Sequence, residues 1–441
     1  MVLSLTFRTV ETRCRRGRGV RDNRLVTLLD DLTWRGLIQD STDPAALAEA
    51  LTGDPITFYV GFDPTAASLH VGHLMQVVTA GRLQRAGHRP LLLVGGATGQ
   101  IGDPRESAER TLNPPEVIEG WVRRIREQLA PFVTYDGDSA ATMVNNLDWT
   151  GPTSVIEFLR DVGKHFPVNK MLARDVVRNR LESGISFTEF SYQLLQANDY
   201  HELHKRYGCV LQFGGSDQWG NITAGVDFIR RRGAGPVHAF TTPLVVKADG
   251  TKFGKSEGGS IWLDPEMTSP YAFYQFWINA DDRDVNNYLR YFSFKSREEI
   301  EELEKATAER PHARLAQRAL AYELTALLHG SYEADQAVAA SQALFGRGSL
   351  ADLSASVLRA ALSEAGLITV TELPPVGQLF QQAGLVKSGG EARRTVAEGG
   401  AYVNNERVTD ADAVVPSSAL LHGRFLVLRR GKRTFAGVEQ V

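Results

Sequence analysis

The sequence predicts an α/β protein whose first domain is a doubly wound parallel sheet, followed by a helical domain and a small α+β module. Three observations predict it. Residues 56–94 read as strand, helix, strand, which is a βαβ unit and implies parallel pairing. Residues 210–213 are a further buried strand that ends in Gly214-Gly215 and leads into a helix start. After Trp262 the pattern turns helical and polar, with charge-rich stretches such as residues 297–310.

Each element has a local reason. Residues 56–61 are apolar and β-prone and run into the turn Asp63-Pro64-Thr65. From residue 70 to 86, apolar side chains recur at helical spacing (Leu74, Val77, Val78, Leu83), and Gly87 is a stop signal. Residues 91–94 form a second apolar strand closed by Gly95-Gly96. Residues 346–372 are rich in Ala, Ser and Gly and read as a connection, and the terminal residues read as two short helices followed by strands. The expected division is a disordered basic extension over 1–24, a Rossmann-like domain over 25–245, a loop and helical domain over 246–345, a linker over 346–373 and a terminal module over 374–441.

Composition narrows the class. The 441 residues are 43% hydrophobic and 23% charged, which is ordinary for a globular protein. No run approaches the ~18 apolar residues of a membrane-spanning helix, so no membrane partner is expected. Two cysteines, Cys14 and Cys209, cannot make a disulfide framework or a Cys-rich metal site. A reducing, cytoplasmic setting is the expectation, with a mitochondrial one if residues 1–24 are a transit segment. That segment carries seven arginines against Glu11 and Asp22, a net +5, so the other residues carry −8 of the total −3. A nucleic-acid partner must then be met by local basic patches.

Two constellations point to phosphate chemistry. His70-Val71-Gly72-His73 stands where the first strand gives way to its helix, and residues three apart share a helical face. There the helix dipole favours an anion, and Gly72 lets a ligand approach the backbone. As an isolated pattern it would be a surface histidine pair, and its spacing is not that of a zinc site, so no metal is assigned. Lys252-Phe253-Gly254-Lys255-Ser256 is bracketed by Asp249-Gly250 and Gly258-Gly259, and its cations and hydroxyl suit a triphosphate. A third pattern is Tyr192, Gln196 and Asp199 at spacing 0, 4, 7, one face of a helix among apolar neighbours. That face lines either a pocket or solvent.

The first two patterns together resemble the signature motifs of class I aminoacyl-tRNA synthetases, His-Ile-Gly-His and Lys-Met-Ser-Lys-Ser. Phe253 and Gly254 replace Met and Ser, and this Lys-Phe-Gly-Lys form resembles the tyrosyl branch. The resemblance covers nearly all of residues 25–441. The stretches 59–65, 94–104, 184–196, 214–225 and 269–278 are similar to bacterial-type tyrosyl-tRNA synthetases.

The resemblance implies activation of L-tyrosine with ATP, supplied as MgATP without a protein-bound metal, and transfer to tRNA(Tyr) by a homodimer. It implies catalytic roles for His70, His73, Lys252, Lys255 and Ser256. Gly61, Asp63, Thr65, His70, His73, Gly215, Asp217 and Lys255 would bind ATP, with Asp217 and Gln218 contacting ribose and carboxylate. Tyr192, Gln196 and Asp103 would hold the α-amino group, and Tyr59 and Asp199 the phenol. An acceptor beside a donor favours a phenol over an indole, whose nitrogen offers no lone pair. One departure stands out: Arg105 and Arg110 follow Gly102-Asp103-Pro104 where the family often has pyrophosphate-binding lysines.

Residues 374–441 resemble an S4-type RNA-binding domain, and Lys387, Arg393 and Arg394 would form its basic edge toward tRNA. Arg424, Arg429, Arg430, Lys432 and Arg433 add a second basic cluster. The rival readings are a tryptophanyl synthetase or another nucleotidyltransferase of this fold, and a non-catalytic relative that only binds RNA.

Overall fold

The first sheet comprises β1 (Asp40–Ser41), β2 (Thr57–Phe62), β3 (Arg89–Val94), β4 (Thr142–Asn145), β5 (Cys209–Gly215) and β6 (His238–Thr242). The computed structural model describes residues 27–104, 113–251, 253–256, 259–431 and 434–441, without the side chains of Lys255 and Ser256. The basic segment 1–24, Arg105, Arg110, Lys252, Lys432 and Arg433 lie outside the described residues.

Alternation within β2 explains the layering. Phe58, Val60 and Phe62 pack into one apolar cluster and Tyr59 into another. A strand buried on both faces is what a parallel sheet sandwiched between helices requires. Leu74, Val77 and Val78 of the helix Leu74–Arg85 join the first cluster. Tyr200 and Leu203 of the helix Phe187–Tyr207, with Ile229 of the helix Trp219–Arg231, join the second. The strand order is β1-β6-β5-β2-β3-β4, parallel except for β1 at the edge. Winding runs from β2 out to β4 and then returns to β5 on the other side. The crevice above the carboxyl ends of β2 and β5 is therefore a topological switch point, where open α/β sheets bind ligands.

The predicted doubly wound fold is present, with β3 and β5 longer than the sequence suggested. The helix expected from residue 70 opens as a 3₁₀ turn, Val71–His73, before Leu74–Arg85. A two-residue hairpin, β7 (Lys255–Ser256) and β8 (Gly259–Ser260), precedes the helices Pro270–Ile278, Val285–Phe292, Arg297–Glu309, Leu315–His329 and Ser331–Leu344.

Residues 346–373 do not serve only as a connection. Ala355–Ala365 is a helix, capped by the Ser354 hydroxyl, that buries Leu358, Ala361 and Leu362. Leu367–Val370 is a strand, β9, in a second sheet with β10 (Ala401–Val403), β11 (Glu406–Arg407), β12 (Phe425–Arg430) and β13 (Thr434–Gln440). Alanine, serine and glycine suggested a connection, but alanine is also the best helix former, and here it packs closely. Phe425 and Val427 share a cluster with Leu358 and Leu362, while Leu426 and Leu428 pack with Leu379 and Phe380 of the helix Val376–Gln382. The second sheet is thus seated on the helical region. Among the described residues no helix is long and apolar enough to cross a membrane.

Candidate active site

One cavity of about 550 Å³ opens at the carboxyl ends of the parallel strands. Tyr59, Gly61, Asp63, Thr65, His70, His73, Asp103, Tyr192, Gln196, Asp199, Gly215, Asp217 and Gln218 all line it. The helical face Tyr192/Gln196/Asp199 thus lines a pocket and not solvent. Phe253 contributes to the wall. Lys252 and the side chains of Lys255 and Ser256 lie outside the described residues. Lys387, Arg393 and Arg394 are exposed on the terminal module, at and before the helix Gly389–Ala397.

One end of the cavity is a polar chain in an apolar setting. Asp199 is 2% exposed; its carboxylate accepts from Trp149 Nε1 at 2.8 Å and from Asn146 Nδ2 at 3.0 Å. Asn146 also donates to Thr98 Oγ1 at 2.9 Å, Thr98 donates to Asp63 at 2.7 Å, and Tyr192 OH donates to the other Asp63 oxygen at 2.7 Å. Burial pushes the Asp199 carboxyl up to about 7, against the pull of the two donors. Tyr59 OH, beside it, is buried with no hydrogen-bond partner among the described residues. Burial first, and then the Asp199 charge, hold that phenol well above its ordinary value. An unpaired buried hydroxyl is costly, and a ligand that accepts from it recovers that cost.

The other end holds the histidine pair. His73 Nδ1 accepts from the His70 backbone N–H at 3.2 Å, and His70 Nδ1 accepts from the Gly72 N–H at 3.0 Å. The His73 ring is therefore neutral with its remaining proton on Nε2, a donor without a formal charge. The rings stack with centroids 4.1 Å apart. Desolvation, and then the neighbouring His70, push His73 down to about 3. Gly72 has a more local task than admitting a ligand. A Cβ there would sit 2.6 Å from His70 Cε1, so the glycine makes room for the histidine's own ring.

Asp103 links the predicted Gln218 to Asn221, accepting from Gln218 Nε2 at 2.8 Å and from Asn221 Nδ2 at 3.1 Å. Sequence reasoning missed Thr98, Asn146, Trp149 and Asn221. For Asn146 a signal existed: it directly follows a strand end in a parallel sheet, and Trp149 lies three residues on. The second basic cluster is largely engaged internally. Arg424 pairs with Glu439, Arg430 with Glu391, and Arg429 stacks on Tyr402.

Residues 51–346, more than half of the chain, match the family described as tRNA synthetases class I (W and Y), and residues 367–438 match the tyrosine–tRNA ligase SYY-like C-terminal domain. The chain belongs to the class I tRNA synthetases. It is 63% identical to the tyrosine–tRNA ligase of Streptomyces coelicolor over 94% of this chain and 99% of that one. It is 58% identical to that of Mycobacterium bovis over the same shares. Within the class, then, its branch is the tyrosine–tRNA ligases, which are aminoacyl-tRNA synthetases. A truncated Aspergillus nidulans mitochondrial tyrosyl-tRNA synthetase superposes with a TM-score of 0.67 at 33% identity, covering 74% of this chain and 96% of that one. A tryptophanyl-tRNA synthetase from Encephalitozoon cuniculi, at 14% identity and a TM-score of 0.52 over 75% of this chain and 89% of that one, shares the fold.

Proposed function

We propose that the cavity binds L-tyrosine with its phenol between Tyr59 and Asp199 and joins its carboxylate to ATP at the histidine end. The observation that carries this reading is the unpaired, buried Tyr59 hydroxyl beside the Asp199 carboxylate. A phenol both donates and accepts, so it satisfies both groups at once; an indole N–H satisfies only the carboxylate.

In the first step a carboxylate oxygen of tyrosine attacks the α-phosphorus. The bond from that phosphorus to the bridging oxygen breaks, and pyrophosphate leaves. The nucleophile is already ionised, so positioning and charge stabilisation account for the rate. His70 and His73, the latter as a neutral Nε2–H donor, hold the phosphates together with Thr65, and Lys252, Lys255 and Ser256 stabilise the pyrophosphate. Gly61, Asp63, Gly215 and Asp217 accommodate the nucleotide. Tyr192, Gln196 and Asp103 face the α-amino group, and Gln218 the carboxylate. Magnesium would arrive as MgATP and would neutralise phosphate charge without a dedicated protein cage. In the second step the 3′-terminal adenosine hydroxyl attacks the tyrosyl carbonyl and AMP leaves.

The tRNA is held in part by the terminal module, residues 374–441. Lys387, Arg393 and Arg394 are exposed there, and the Arg393–Asp412 ion pair at 3.1 Å is too solvated to compete strongly with phosphate. Self-association fits the exposed Val155, Ile156 and Leu159 on the helix Val155–Asp161. Ile156→Glu, followed by sedimentation, should then shift a dimer toward monomer. Exchange of labelled pyrophosphate into ATP, dependent on tyrosine and independent of tRNA, tests the activation reading. Stimulation by tryptophan and not by tyrosine would sink it.

A further inference from the structure

The second signature motif carries an aromatic residue that needs no phosphate. Phe253 sits between the lysine-bearing positions, and its ring is enclosed by four others. The centroid distances are 5.6 Å to Phe276, 5.8 Å to Trp277, 5.1 Å to Tyr288 and 5.6 Å to Phe292. Trp277 and Phe292 are fully buried, so the enclosure belongs to the packed core of the helices Pro270–Ile278 and Val285–Phe292. The same second helix begins beside Asp284, whose carboxylate accepts from the Ala248 N–H at 2.9 Å, five residues before Phe253.

The next residue ties this anchored chain to the first motif. Gly254 has φ +78, and a Cβ there would lie 2.8 Å from Val71 Cγ2, so the backbone runs directly against the first motif. Ile261 N–H donates to the Gly254 carbonyl at 3.0 Å, and Val71 N–H donates to the Ile261 carbonyl at 2.9 Å. Val71 lies between His70 and Gly72. The two motifs are thus joined through two backbone hydrogen bonds, with Phe253 as the side-chain anchor of the unit. Lys255 follows that anchor by two residues, at the start of the hairpin β7–β8.

We propose that Phe253 is a positioning residue for adenylation: its seat among the four rings fixes where the lysine-bearing backbone stands relative to His70 and His73. The ring fills the core seat while the peptide that follows it is held against Val71. A smaller side chain leaves the seat partly empty, and the hairpin base then samples several positions. Catalysis by charge placement is sensitive to such errors, since a shift of about 1 Å costs on the order of 10²-fold in rate. Tyrosine recognition does not depend on this backbone, because the phenol end of the cavity is built from β2 and the helix Phe187–Tyr207.

The inference rests on the activation reading, and tyrosine-dependent exchange by the wild-type protein tests that reading separately. The test compares Phe253→Ala, Phe253→Leu and Phe253→Met in the full chain. Single-turnover adenylate formation, tyrosine affinity by equilibrium dialysis, and the thermal midpoint are measured for each. Phe253→Ala should slow adenylate formation on the order of 10²-fold with tyrosine affinity unchanged. Phe253→Met, long and apolar, should recover most of the rate. If the alanine variant does not fold, Phe253→Leu is decisive: a slowed rate at wild-type tyrosine affinity supports the proposal. A wild-type rate in a folded alanine or leucine variant overturns it. Equal losses of rate and tyrosine affinity also overturn it, because they mark a general packing role.

Discussion

The two ends of the cavity meet the same physical problem, a titratable group removed from water, with opposite results. At the phenol end, burial raises the Asp199 carboxyl to about 7. At the histidine end, burial and a like neighbour lower His73 to about 3. In both cases desolvation disfavours the charged form. The consequence is that at neutral pH His73 is an uncharged donor, while the phenol end is close to gaining its charge. His73 thus keeps its neutral form over the ordinary pH range, whereas Asp199 changes its charge within it. The two ends also affect the empty fold in opposite directions. Asp199 binds more protons folded than unfolded, so its contribution to stability is lost as pH rises from 3.8 to about 7. His73 binds fewer, and its contribution is lost as pH falls from 6.5 to about 3.

The sharpest way to break this comparison is at the phosphate end. Lys255→Ala should slow tyrosyl-adenylate formation on the order of 10²–10³-fold while tyrosine binding stays nearly unchanged. Rapid-quench kinetics with a separate tyrosine titration checks this, and a parallel loss of tyrosine affinity would move the lysine to the amino-acid end.

Asp199→Asn should come next. Losing a hydrogen bond to a charged group should cost tyrosine activation about 2 kcal/mol in kcat/KM. In the wild type, kcat/KM for tyrosine should fall on acidification through about 7, as Asp199 takes up its proton. Asn146→Ala removes a donor that favours the carboxylate, so it should move that inflection upward. A flat profile between pH 6 and 8, set against about one unit of expected movement per unit of pH below the inflection, would separate Asp199 from tyrosine recognition.

A smaller effect is expected at Tyr59→Phe. Removing one uncharged donor should weaken tyrosine kcat/KM by about 1 kcal/mol, roughly fivefold. The variant itself should fold at least as well, because the hydroxyl has no partner among the described residues. The gentlest change leaves the cavity alone: Arg393→Glu with Arg394→Glu should weaken tRNA binding and lower its salt slope by about one unit per lost phosphate contact. Activation should be untouched. Charge reversal is a cleaner probe than removing residues 374–441, because that deletion would strip β10 to β13 from β9 and uncover Leu358 and Leu362.

How much of this was legible in the sequence follows from which forces act locally. The strand-helix-strand start and the helical face of Tyr192, Gln196 and Asp199 are periodic signals, and periodicity survives in a single chain. The Asp199 environment was not legible, because Asn146 and Trp149 reach it from the segment just after β4, about fifty residues earlier in the chain. The stretch 346–373 was misread because an alanine- and serine-rich segment is ambiguous until a partner surface is known. Phe425 and Val427 supply that surface from far along the chain. Gly72 was legible as a close approach, but the approaching group is His70's own ring.

The measurement that bears most directly on the account is the ratio of kcat/KM for tyrosine to that for phenylalanine in pyrophosphate exchange, in the wild type and in Asp199→Asn. Phenylalanine leaves the Tyr59 hydroxyl without an acceptor and brings Asp199 no donor, so the wild-type ratio should strongly favour tyrosine and should shrink at least tenfold in the variant. A ratio that Asp199→Asn leaves unchanged would contradict the assignment of that end of the cavity to the phenol.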